Sequence, residues 1–247
     1  MVFRNSNAVE QSAGGGELTA REVIEMKKMR GAITRRVTAG HAVPNTTLVM
    51  NADFSAAVAL QRSLVDEWRP LRLRPQYQDL VIAALVAAIK EHPRANSHLV
   101  DDKVYVFDEI NVAIAVAVGA GLVAPTIKNA QDKSLLEIAR AVRAIVRSAK
   151  QGKMSPENVT RSTITVSSLA GYDIESFTPI INAPETNVLG VGKIEQQPRF
   201  VDGELQNRWI GYLSLTFDHR AWDGAPAARF LNSIAAKLKA PDWMRAA

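Results

Sequence analysis

Between Phe217 and Gly224 the chain reads FDHRAWDG, which sets two carboxylates, an imidazole and a guanidinium side by side. The chain holds only four histidines, so one placed among acids is a candidate for proton chemistry. A neutral imidazole accepts a proton near pH 7, as a general base must. Asp218 and Arg220 flank His219 with opposite charges that can lock the turn, and Asp223 stands where a carboxylate caps the amides of a following helix. The residues alone leave two readings open: a charged surface turn, or a base held in a working geometry.

Ser167, in the run STITVSS, is a second candidate. A serine at a strand end can donate to a developing oxyanion, or its hydroxyl can simply be satisfied by nearby backbone. No GxSxG elbow is present, which removes the serine-hydrolase reading. A metal site is not expected either: His92 and His98 are separated by Pro93, His41 lies in a turn, and no HExxH occurs. Without cysteine the chain has no disulfide scaffold, thiolate nucleophile or cysteine-ligated zinc, and it fits a reducing, cytoplasmic setting.

Around these residues a large core can form, since 47% of the chain is hydrophobic and 22% charged. The longest apolar run, LVIAALVAAI from Leu80 to Ile89, is too short to span a bilayer and reads as a buried helix, so no membrane partner is expected. The net charge of +5 suggests affinity for anions, although Arg140, Arg143, Arg147 and Lys150 also fit one solvated helical face. No recognition helix, base-stacking platform or zinc pattern points to nucleic acid. Residues 1–18 lack a signal-peptide pattern and read as a flexible tail or linker stub.

The elements that must position the candidates follow from periodicity and punctuation. Thr19 and Glu22 form a capping box for a first helix predicted over residues 20–38, ending near Gly40 and Pro44. TTLVMNADF reads as a strand, Ser55 as the cap of a helix ending before Pro70, and residues 76–91 as a long helix closed by Pro93. Ile110–Val118 and Leu122–Ile127 read as a hairpin about the turn GAG, whose glycines are flanked by strands and make no phosphate loop. Ser134 and Glu137 cap a helix reaching Gln151, and residues 162–168 form a strand. NVLGVGKIEQQ and a hairpin turning at Asp202-Gly203 complete the sheet before a last helix over 225–238. The order predicts an α+β fold in a single domain over residues 19–247, with a mixed, largely antiparallel sheet flanked by helices.

DHRAWDG matches the DHRxxDG signature of dihydrolipoamide acyltransferases, the core subunits of 2-oxo acid dehydrogenase complexes. MRGAITRRVT, DLVIAALVAAIKEHPRAN, NVAIAVAVGAGLVAPTIKNA, KSLLEIARAVRAIVRSAKQGKMSPENV and SFTPIINAPETNVLGVG resemble that family's segments in the family's order, from Thr19 to the C-terminus. The resemblance implies a chloramphenicol acetyltransferase-like fold and a homotrimer with active sites at subunit interfaces. It also implies assembly of trimers into cubes or dodecahedra. Coenzyme A and a dihydrolipoyl arm would enter the interfacial channel from opposite ends, and dehydrogenase subunits would be partners. By motif position His219 would be the base that takes the attacking thiol's proton, and Ser167 the oxyanion donor, from neighbouring subunits. Asp223 would pair with Arg30 as an architectural contact. Acetyl is the first expected acyl group and a branched-chain acyl group the second.

Some positions depart from the family pattern. ITVSSLA carries Ala170 where glycine is common, Asn45 replaces a frequent histidine, TAGHAVPN is one residue short, and APDWMRAA replaces a leucine-rich end. No lipoyl domain or peripheral-subunit-binding domain is present, so a lipoyl group would come from a separate domain or chain. Two rivals follow. One is a chloramphenicol acetyltransferase-like or free-standing acyltransferase with another acceptor, which would usually carry HHxxxDG where this chain has Asp218. The other is a scaffold subunit that has lost catalysis.

Overall fold

The computed structural model describes residues 8–9, 18–119 and 121–245; most of the expected N-terminal tail lies outside the described residues. Among the described residues there are five α-helices: α1 (Lys28–His41), α2 (Ser55–Glu67), α3 (Tyr77–Glu91), α4 (Leu135–Lys150) and α5 (Gly224–Lys239). The main sheet comprises β1 (Asn45–Asp53), β2 (Val112–Ile114), β3 (Thr126–Ile127), β4 (Ile164–Ser168), β5 (Asn187–Val201) and β6 (Glu204–Asp218). In space the order is β1-β6-β5-β4-β2-β3. β4 runs parallel to β5 and β2, while the β1–β6, β5–β6 and β2–β3 pairs are antiparallel. This is the mixed, largely antiparallel sheet that the sequence predicts.

One face of the sheet is the core. Leu213, Leu215 and Phe217 on β6 and Ile164 and Val166 on β4 are fully buried beneath the helices. α3 is the central helix, with Leu80, Val81, Ile82, Ala84 and Leu85 all sealed. Burying such side chains contributes about 1.5–3 kcal/mol each, which is why the apolar run Leu80–Ile89 is a core helix. Its start is a capping box in which Gln76 N–H donates to Asp79 Oδ2 at 2.8 Å. α4 starts as predicted, Ser134 Oγ accepting from Glu137 N–H while the Glu137 carboxylate takes Ser134 N–H. β5 and β6 form one long hairpin, turning at Asp202 (φ 52°) and Gly203 (φ 86°), the paired left-handed geometry that matches strand twist.

Three details differ from the sequence reading. α1 starts at Lys28, and Thr19–Glu22 caps nothing, because residues 22–27 are not helical. Val23, Ile24 and Met26 are more than half exposed and pack on no surface among the described residues, so the apolar period does not stabilise a helix there. Ser55 does not cap α2; its N–H donates to Asp53 Oδ1 at 2.9 Å and its hydroxyl accepts Trp209 N–H at 3.0 Å, tying the helix to β6. The Ile110–Ile127 hairpin is split: Val112–Ile114 and Thr126–Ile127 join the main sheet, and Val116–Val118 pairs with Gly121–Val123 as a separate ribbon.

The segment Phe177–Pro184 packs on the second face of the sheet at β5. A side-chain carbon on Gly190 would lie 3.2 Å from Phe177 and 3.3 Å from Pro179, and one on Gly40 of α1 only 2.1 Å from the Ile181 carbonyl oxygen. Glycine at both positions lets this segment lie close to β5 and α1. Where it turns into β5, Glu185 is buried, and desolvation pushes its carboxyl up to about 7. Asp79 is likewise raised, to about 6, by burial. A carboxyl raised on folding stabilises the fold fully below its unfolded value, and that contribution is lost as pH rises through the folded one. Burial depresses His98 instead, which acts in the opposite sense as pH falls below 6.5. Glu185 alone should lower stability by on the order of 3 kcal/mol between pH 4.5 and 7. Urea unfolding of Glu185→Gln should therefore show a flatter fall in stability from pH 5 to 8 than the unmutated protein; an unchanged slope would contradict the assignment.

Candidate functional site

The end of β6 is fixed before His219 begins. Asp218 is the last strand residue, paired in register with Asn45 of β1, and its N–H donates to the Thr186 carbonyl at 2.9 Å. Its buried carboxylate accepts from Arg220 three times: the backbone N–H and Nε at 3.0 Å on Oδ1, and Nη2 at 2.7 Å on Oδ2. The Asp218 carbonyl then takes the N–H groups of Ala221 and Trp222, and Trp222 Nε1 donates to the Arg94 carbonyl at 3.1 Å. The short turn is thus closed by its own acid and guanidinium.

His219 sits inside this turn with its backbone N–H on the Pro44 carbonyl at 2.9 Å and its ring 5.5 Å from that of Phe217. The imidazole is exposed and makes no hydrogen bond or ion pair to a described residue. The geometry that Asp218 and Arg220 provide is therefore a fixed platform from which the ring projects, with both nitrogens open. The lock that the opposite charges of Asp218 and Arg220 suggested is present in the structure.

Ser167 lies on β4 opposite Gly190 of β5, which in turn faces Ser214 of β6. It is half-buried, on the face away from the helices, and its hydroxyl bonds to no described residue. It is thus not consumed by nearby backbone and is free to donate. His219 follows Ser214 by five residues along β6, two strands away from β4. At about 3.3 Å per residue and 4.8 Å per strand, the two backbone positions in one chain are roughly 20 Å apart. One copy cannot bring them to a common reacting atom.

Asp223 occupies the N-cap position of α5 with extended backbone, but its side chain bonds none of the helix amides, so the capping role suggested by the sequence is not realised. It is exposed beside a small cavity with His92, Arg94 and Pro226. No ion pair joins it to Arg30 within the chain: Arg30 is exposed at the start of α1, and its guanidinium lies near Gly121. His98 Nε2 pairs with the Ser162 carbonyl at 2.9 Å, and His92, in the cavity beside Asp223, packs against Phe230. Cavities of about 800 Å³ between α3 and α5 and about 420 Å³ between α3 and α4 are lined by neither Ser167 nor His219.

The sequence reading missed Glu185. It lies in an irregular, proline-bearing stretch with no periodicity to mark burial, and the only local signal is an acid set between Pro184 and Thr186 with Asn182 and Asn187 nearby.

Residues 19–246 match the family described as 2-oxoacid dehydrogenases acyltransferase (catalytic domain). A relative from Mycoplasma capricolum, the dihydrolipoyllysine-residue acetyltransferase component of a pyruvate dehydrogenase complex, is 34% identical over 88% of this chain and 50% of its own length. Among solved structures, the Azotobacter vinelandii dihydrolipoamide acetyltransferase has a TM-score of 0.87 at 29% identity, covering 92% of this chain and 94% of that one. The cubic core of a pyruvate dehydrogenase multienzyme complex also has a TM-score of 0.87, at 28% identity and with the same coverage. The chain spans about half the length of the curated relatives it matches.

The locked turn can be tested directly. Asp218→Asn removes the charge from the bonds to Arg220 and should cost about 1–3 kcal/mol in urea unfolding. Stability equal to the unmutated protein would show that the pair does not hold the turn.

Proposed function

The chain belongs to the family of 2-oxoacid dehydrogenase acyltransferase catalytic domains, and on that premise we propose that it moves a short acyl group between a dihydrolipoyl thiol and coenzyme A. Acetyl is the first choice, supported by the acetyltransferase relative, and a branched-chain acyl group the second. The observation that carries the reading is the pair of unengaged side chains, His219 on a locked turn and Ser167 on β4. The serine, histidine and asparagine whose catalytic roles were investigated in the Azotobacter enzyme follow one another at the same sequence intervals as Ser167, His219 and Asp223.

In the proposed reaction His219 takes the proton from the coenzyme A thiol, which is mostly protonated at neutral pH. The thiolate adds to the carbonyl carbon of the acyl-lipoyl thioester, and the carbonyl oxygen becomes an oxyanion that accepts a hydrogen bond from the Ser167 hydroxyl. Collapse re-forms the carbonyl, breaks the bond to the lipoyl sulfur and returns the proton from His219 to it. Acyl-coenzyme A and dihydrolipoyl dithiol result, and His219 is regenerated. Because the bond to Ser167 strengthens as charge develops, it acts on the transition state more than on the bound substrates.

The separation of roughly 20 Å within one chain supports a site that His219 of one copy and Ser167 of another build together. This supports a homotrimer, and the likeness to a cubic core supports further assembly of trimers. Lipoyl domains and dehydrogenase subunits are the partners in this reading, with the lipoyl group carried on a separate domain or chain, and the setting is cytoplasmic. Asp223 is a supporting residue, not a proton relay: asparagine stands at the matching interval in the Azotobacter enzyme.

An acyl-coenzyme A panel with dihydrolipoamide as acceptor, run alongside particle mass, tests the reading; transfer from no donor would favour a scaffold. His219→Ala should abolish transfer while keeping the assembled mass. Ser167→Ala should lower kcat by about a hundredfold, the scale of one lost oxyanion donor. Asp223→Asn should stay within about threefold of the unmutated kcat, since an amide and a carboxylate fill the same space without the ionic pair. Unmutated turnover in either of the first two variants contradicts the role given to that residue.

A further inference from the structure

Glu185 is 2% exposed, where the segment covering the sheet enters β5. Its oxygens divide three donors. Oε1 accepts from Ser162 Oγ and from Asn182 Nδ2 at 2.7 Å, and Oε2 accepts from Thr165 Oγ1 at 2.6 Å. Asn182 is itself held by α1, its Oδ1 accepting Arg36 Nε at 2.6 Å. The next residue, Thr186, bonds Ser97 through its hydroxyl and takes the N–H of Asp218 on its carbonyl. One carboxylate therefore meets the strand that carries Ser167 and the segment bonded to α1. It also adjoins the peptide on which the His219 turn hangs.

Apolar packing does not require an acid here. A buried carboxylate costs free energy unless every oxygen is bonded, and a satisfied network of this kind specifies one arrangement of the chain segments it joins. Thr165 and Ser167 are two apart on β4 and so share a face and a direction. Fixing the Thr165 side chain fixes the height of the strand at Ser167, whose own hydroxyl has no bond to hold it.

We propose that Glu185 is a positioning residue for the acyl transfer: by anchoring Ser162 and Thr165 it sets the place of β4 and with it the aim of the Ser167 hydroxyl. The proposal rests on the function assigned above. Glutamine is the informative replacement because it leaves no cavity. Its carbonyl can keep Ser162 and Asn182, while its amide must donate to Thr165, whose hydroxyl then turns from donor to acceptor. The anchor is reversed without being removed.

Kinetics of Glu185→Gln, Ser167→Ala and the double variant, run with coenzyme A and acyl-lipoamide at about pH 8 where Glu185 is mainly the carboxylate, test it in the assembled protein. Glu185→Gln should lower kcat about tenfold, the scale of a small misplacement of a reacting group, with both KM values within about twofold. In the Ser167→Ala background the same change should cost less than about twofold, because the hydroxyl it aims is already gone. The same tenfold loss in both backgrounds, or no loss in either, overturns the proposal. Amide hydrogen exchange provides a readout that does not depend on activity: Val166, Ser167 and Ser168 should exchange faster in Glu185→Gln, with α3 and α5 unchanged. Absence of activity in the unmutated protein would sink the functional assignment alone, while unchanged exchange on β4 would sink the positioning role.

Discussion

The register of β6 between β1 and β5 is the constraint on which the site depends. Its pairing places Ser214 level with Ser167 across β5, and Asp218 level with Asn45 at the far end of the strand. A strand has no freedom to bring these two levels together, since each residue adds a fixed rise and a shift of one would turn the buried Leu213, Leu215 and Phe217 to the wrong face. The hydrophobic core thereby sets the distance between the hydroxyl and the imidazole. In one chain it leaves His219 exposed and Ser167 half-buried, well apart from each other.

Polar groups complete what the core begins. The Asp218–Arg220 interaction holds the turn that follows β6 and so fixes the backbone from which the ring of His219 projects. On the second face of the sheet the carboxylate of Glu185 joins β4 to Asn182, and through it to Arg36 of α1. The two acids differ in setting. Asp218 lies against a guanidinium that reaches solvent, whereas Glu185 meets only neutral donors, and its carboxyl is pushed up to about 7 by burial. In both cases a buried acid fixes backbone near a residue that carries chemistry, and neither acid is placed to act on a substrate.

Much of this arrangement was legible in the sequence. α3, α4 and the long hairpin follow from an apolar run, a serine–glutamate capping box and an Asp-Gly turn, all of which are local signals that packing reinforces. His219 and Ser167 were legible as residue types and by their place in an ordered set of family segments. The start of α1 was not: Val23 and Met26 have helical spacing but no partner surface among the described residues, and periodicity does not report what a residue packs against. The expected Asp223–Arg30 contact and the role of Glu185 depend on which loops meet in space. Sequence spacing carries no such information for a proline-bearing segment such as residues 177–186.

The central claim is that His219 of one copy works with Ser167 of another. Co-assembly of His219→Ala chains with Ser167→Ala chains tests it most directly. Random mixing in equal amounts should restore acyl transfer to about a quarter of the unmutated rate, because that share of interfaces would carry both native side chains. Activity no greater than the average of the two separate variants would show that the pair does not meet across an interface.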